Sequence, residues 1–219
     1  MRESAVVSWV ARCAAAVAAT FAIGCTTAYY QALEAFGIEK RDILVDRVED
    51  ARDAQTSAKE QFQSALDQYR SVINFDGGDL ETVYDRLNAS YERSESRAQA
   101  VSDRIDAVQS VAEDLFDEWE DELGQYSDAN LRRQSERLLG DTRAQYQQVI
   151  GAMRRAEEAM APVLTLFQDQ VLFLRHNLNA RAIGALETEL GAIEEATEAS
   201  IAEMERAIAE ASAFIESMA

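Results

Sequence analysis

Residues 44–72 read LVDRVEDARDAQTSAKEQFQSALDQYRSV. Steps of four and three residues, taken alternately from Leu44, land on Val48, Ala51, Gln55, Ala58, Phe62, Ala65, Tyr69 and Val72. Only Gln55 interrupts the apolar series, and charged residues such as Asp46, Arg47, Glu49, Asp50, Arg52 and Asp53 fill the positions between. A mean spacing of 3.5 residues brings these side chains to one face of a helix, where they form a seam for packing on other helices. The seam runs into Asn74-Phe75-Asp76-Gly77-Gly78-Asp79. Adjacent glycines end a helix, and the Asp79 carboxylate is suited to cap the next.

The same pattern recurs three times downstream. A second seam passes through Leu80, Tyr84, Leu87, Tyr91, Ser94, Ala98, Val101, Ile105, Val108, Ala112, Leu115, Trp119, Glu122 and Tyr126. After Gly124-Gln125-Tyr126-Ser127-Asp128-Ala129-Asn130, a third begins near Leu131. It carries Leu138, Thr142, Tyr146, Val149, Met153, Ala156, Met160, Val163, Phe167, Gln170 and Leu174. Pro162 lies inside it, where a missing N–H and a ring clash predict a kink rather than an end. The turn Asn177-Leu178-Asn179 leads to a fourth seam through Ile183, Leu186, Leu190, Ile193, Thr197, Ile201, Met204, Ile208, Ala211 and Phe214. Helices are expected over about 38–75, 79–126, 130–178 and 180–217. Short connections make successive helices antiparallel. The expected fold is therefore all-α: a long up-down-up-down four-helix bundle or coiled-coil rod, one domain over 38–218. The alternative is two long hairpins that dimerise to close the same seams.

Composition agrees with this and excludes much else. One proline and nine glycines in 219 residues are too few for an all-β chain with a turn every ten residues or so. The apolar content of 47% is too high for a strongly charged disordered chain. The net charge is -19, and of 21 basic residues only Lys40 and Lys59 are lysines. A phosphate-binding surface needs clustered Lys and Arg, so no nucleic-acid partner is expected.

The first 25 residues read as an address. Arg2 precedes a mostly apolar run that closes on Ala22-Ile23-Gly24-Cys25. The unbroken apolar stretch after Arg12 is about eleven residues, short of the ~20 needed to span a bilayer. The closing residues resemble a bacterial lipobox, with Ala22 where leucine is usual. That resemblance implies that 1–24 is a cleaved signal peptide, that Cys25 carries lipid, and that 25–37 is a tether. Thr26, rather than Asp, after the cysteine implies sorting to the periplasmic face of the outer membrane. With Cys13 in the discarded part, no intramolecular disulfide is expected.

Several blocks together carry a wider resemblance. Phe36-Gly37-Ile38-Glu39-Lys40-Arg41-Asp42-Ile43-Leu44-Val45-Asp46-Arg47-Val48 is one, and Val72-Ile73-Asn74-Phe75-Asp76-Gly77-Gly78-Asp79-Leu80 is another. The others are Val101–Ile105 with Val111–Phe116, and Gln170 through Ile183. They resemble a bacterial domain-of-unknown-function family, number 2959, over about residues 28–215. The resemblance implies a lipoprotein or secreted protein of long helices and brings no catalytic residue with it.

A search for chemistry returns little. A P-loop needs Gly-Lys-Ser/Thr, and neither Lys40 nor Lys59 follows a glycine. A di-iron bundle needs Glu-x-x-His on two helices, but the one histidine, His176, is preceded at that spacing by Phe173. No catalytic, cofactor-binding or metal-binding residue is therefore expected, and no cofactor. Asp76-Gly77-Gly78-Asp79 offers too few oxygen ligands for a calcium loop. Two clusters remain. Arg175, His176, Asn177 and Asn179 form a polar tip between the third and fourth helices, suited to capping or to binding a partner. Glu113, Asp114, Asp117, Glu118, Glu120, Asp121 and Glu122 surround Trp119, either as a solvated face or as a dock for a basic partner with Phe116 and Trp119 as anchors. The expected function is a non-enzymatic, lipid-anchored envelope scaffold or adaptor, with an envelope protein or a second copy as partner. The alternative is a ligand-binding or enzymatic protein with a polar interhelical pocket around Asp169, Arg175 and His176.

Overall fold

A computed structural model of the chain describes residues 39–74, 79–177 and 180–218, except the side chains of residues 180–182. The proposed signal peptide (1–24), Cys25 and its tether (25–37), Asp76-Gly77-Gly78 and Asn179 lie outside the described residues. The chain divides into two compact units, Met1–Ile43 and Leu44–Ala219. Of the first, only the opening of a helix is described.

Four helices follow in order: α1 (Lys40–Ile73), α2 (Leu80–Leu123), α3 (Ala129–His176) and α4 (Ala180–Met218). No strand occurs among the described residues. Asp79 caps α2, its carboxylate accepting from Glu81 N and Thr82 Oγ1, each at 3.0 Å. Asp128 does the same for α3, accepting from Asn130 N at 2.6 Å and Leu131 N at 3.3 Å. These bonds satisfy donors that no helix can satisfy at its own start. α3 runs unbroken through Pro162, which lies on its exposed side.

The second unit is an antiparallel four-helix bundle. All nine seam residues of α1 are buried, each at 2% exposure or less, Gln55 among them. The α3 seam is buried from Tyr146 to Leu174. Tyr69 of α1 meets Phe167 of α3 edge-on, with ring centroids 5.8 Å apart, and its hydroxyl donates to Leu186 O of α4 at 2.9 Å. Surface pairs hold the neighbours in step. Arg70 with Glu194 (2.7 Å) and Lys59 with Glu205 (3.3 Å) join α1 to α4. Asp50 with Arg104 (3.3 Å) joins α1 to α2, and Asp106 with Arg154 (2.6 Å) joins α2 to α3. Arg154 also donates to Gln109 of α2.

Three details of the seams differ from expectation. Near the start of α2 the buried stripe is Val83, Leu87, Ser90 and Ser94, while Tyr84 and Tyr91 are half-buried. Both stripes have helical spacing; the tyrosines take the outer one because their hydroxyls seek polar partners, as Tyr91 does with Glu95 at 3.1 Å. Ser90 is small, and its carbonyl accepts from Gln61 of α1 at 3.3 Å. At the far end of α2 the seam stops at Phe116, since Glu122 and Tyr126 are exposed. On α3, Leu139 replaces Leu138 inside the core, and Leu131 and Leu138 are exposed.

Polar side chains are buried in this core. Gln55 Nε2 and Oε1, Ser200 Oγ and Thr197 Oγ1 are buried without a hydrogen-bonding partner in the protein. An unmatched buried amide costs about 1–3 kcal/mol. Gln55→Leu is therefore expected to raise the thermal midpoint, whereas Phe62→Ala should lower stability by about 3–5 kcal/mol through the cavity it leaves. Calorimetry on the two variants reads both signs, and a lower midpoint for Gln55→Leu would show that the amide is matched.

Burial pushes the Tyr146 hydroxyl up to about 12, with Glu113 adding to the effect and Arg154 opposing it. Desolvation also raises Tyr69. An ordinary tyrosine in the unfolded chain ionises near pH 10. The unfolded state thus releases its proton first, and the stabilising contribution, complete below pH 10, is lost as pH rises toward 12. Tyr146→Phe should flatten the decline of denaturation midpoint across that alkaline window; an unchanged slope would place the loss elsewhere.

Candidate functional site

The two clusters marked by the sequence lie at opposite ends of α3. At its end, Arg175 and His176 occupy the last turn and both are exposed. Asn177 caps the helix: its Nδ2 donates to Phe173 O at 2.8 Å and its backbone N–H to Leu174 O at 3.0 Å. A cation in a last turn meets the negative end of the helix dipole and the unpaired carbonyls, so this chemistry serves the helix itself. Asp169, Leu172, Phe173 and His176 share one face at spacings of three and four, and all four are exposed. Asp169, Arg175 and His176 therefore do not converge on a buried pocket. The exposed leucine and phenylalanine between them were not singled out from the sequence.

Near the start of α3 the structure brings α2 and α3 together around an aromatic group. Phe116 is 5% exposed, packs edge-on against Tyr146 with centroids 5.4 Å apart, and lies beneath the Arg143 guanidinium at 5.0 Å. It belongs to the core and is closed to a partner. Trp119 is half-buried and donates from Nε1 to Ser135 Oγ at 2.8 Å, across the two helices. Glu120 pairs with Arg143 at 2.6 Å, so part of the acidic run is used within the hairpin. Glu113, Asp117, Asp121 and Glu122 are exposed. This end presents carboxylates on α2, exposed Leu131 and Leu138 on α3, and Tyr126 in the connection between the two helices.

Cavities lined by described residues occur in the second unit. One, of about 310 Å³, lies between the last turns of α1 and the first of α2, beside Gln68, Ser71, Asp79, Thr82 and Arg86. Four of these polar groups have near neighbours as partners: Asp79 caps α2 and accepts from Thr82 Oγ1, and Gln68 Nε2 donates to Ser71 Oγ at 3.0 Å. Another, of about 220 Å³, is an open depression beside Glu122, Gln125 and Tyr126. Among the described residues no group of three or more His, Cys, Asp or Glu side chains is placed to hold a metal ion. No described helix is long and apolar enough to cross a membrane.

The sequence profile of a family described as proteins of unknown function, DUF2959, matches residues 29–218. The chain belongs to that family. No curated protein matches it. Among the described residues of this DUF2959 chain, large apolar side chains meet solvent beside charge at the α2–α3 end and at the far end of α3.

The Trp119–Ser135 bond is the polar link nearest the α2–α3 turn. A double-mutant cycle with Trp119→Phe and Ser135→Ala, read by urea unfolding, should give a coupling of about 1 kcal/mol. A coupling of zero would mean that the two helices meet there by packing alone.

Proposed function

We propose that this protein is a non-enzymatic, lipid-anchored helical scaffold or adaptor of the cell envelope, held by lipid on Cys25 at the periplasmic face of the outer membrane. The observation that carries the reading is how the bundle uses its side chains. The α1 and α3 seams fill the interior with Leu, Val, Ala, Phe, Met and Tyr, and the charged side chains of the described residues stay out of it, some of them in surface pairs between helices. A bundle built this way supplies length and surface. Reactive groups converging on a cavity would suit an enzyme instead. The large negative charge favours a soluble body that resists non-specific association.

Two measurements test the two halves of the proposal. Cells fed radiolabelled palmitate should incorporate it into the wild-type chain and not into Cys25→Ser; an unlabelled wild type would overturn the lipid anchor. Crosslinking in cells followed by mass spectrometry should recover an envelope protein joined to residues of α2 or α3. These crosslinks should disappear in Cys25→Ser while circular dichroism shows the helices intact. Crosslinks that persist in the unlipidated variant would mean that anchoring is not needed for the partnership.

A further inference from the structure

Leu131, Leu138 and Gln145 follow at intervals of seven residues and so share a face of α3. Gln145 identifies which face: its Oε1 accepts from Ser217 Oγ of α4 at 3.1 Å. α4 is described as far as Met218. One and two heptads beyond this contact, Leu138 is 51% exposed and Leu131 is 53% exposed. The same face as that contact therefore carries two large apolar side chains that no described residue covers. Gln134, Arg137 and Asp141 border these leucines, and all three are exposed. Arg137 and Asp141 stand four residues apart on the same flank, opposite in sign, and neither makes an ion pair among the described residues.

A two-fold axis makes a surface its own partner: if residue i meets j, then j meets i. Two α3 helices packed antiparallel about an axis near Leu138 bring Leu138 against its counterpart. The same axis sets Arg137 of each copy opposite Asp141 of the other. We propose that this face of α3 is covered by the same face of a second copy of the chain. A lipid surface is a poorer occupant, because the carboxylates from Glu113 to Glu122 on the adjoining helix repel anionic headgroups. The proposal deepens the scaffold reading by naming one partner. Its readout is separate from palmitate labelling, so either can fail alone.

The protein purified in nonionic detergent and examined by sedimentation equilibrium at matched density should have twice the mass of one chain. Leu138→Glu should be monomeric with an unchanged helical spectrum. Arg137→Asp should weaken the dimer by about tenfold, and adding Asp141→Arg should restore it to within about threefold of wild type. A monomeric wild type, a dimer that survives Leu138→Glu, or failure of the charge exchange to restore association would each overturn the proposal. A monomeric wild type whose binding to phosphatidylglycerol vesicles falls in Leu138→Glu would assign the face to lipid instead.

Discussion

Eleven residues separate Lys59 from Arg70 on α1, and eleven separate Glu194 from Glu205 on α4. The two ion pairs therefore lie on one antiparallel register, and the buried bond from Tyr69 to the Leu186 carbonyl ties the same two helices together. The rest of the bundle rests on that alignment. It sets Phe62, Tyr69 and Val72 against the interior and brings Phe167 of α3 to the Tyr69 ring. The exposed pairs are each worth at most about 1 kcal/mol, so the seam supplies most of the stability and the pairs select among the registers it permits. Arg104 with Asp50 and Arg154 with Asp106 extend the same selection to α2 and α3.

Periodicity carries most of this fold because a heptad pattern is a local property with a long-range result. From Leu44 to Val72 and from Tyr146 to Leu174, the expected seam and the buried one coincide. Where they part, the reason is specific. Val83-Ser90 and Tyr84-Tyr91 are both plausible stripes at the start of α2, and spacing does not rank a tyrosine that wants a polar partner below a small serine. Phe116 follows the seam residue Leu115 and is buried with it, because the apolar stripe of a bundle helix is wider than a strict two-position seam. Leu131 and Leu138 fit the pattern, yet pattern alone does not say which of its positions the described helices leave uncovered.

The candidate sites were legible only in part. Composition and spacing marked the acidic run and the polar tip at Arg175 and His176, and Asn177 turned out to cap the helix end. The bond between Trp119 and Ser135 was not legible, since residues sixteen apart and in different helices share no periodic relation. Nor was the exposed pair Leu172 and Phe173, whose environment depends on which face of α3 the bundle leaves uncovered. Activity is absent from the pattern for a related reason. Heptads encode packing partners, while the recognition of another molecule resides in the few side chains that the packing leaves over.

The buried amide of Gln55 has a bearing on how the chain finds this arrangement at all. Helices with evenly repeated seams can slide past one another by seven residues and still bury apolar surface, so misaligned bundles compete closely with the native one. Gln55 is the one polar residue in the α1 seam, so a shift of seven residues would move a buried amide to a level that the aligned bundle fills differently. A single polar position thus makes slipped states unlike the aligned one even as it lowers the stability of the aligned state. A chain relieved of Gln55 would melt later and yet reach a single native form less faithfully.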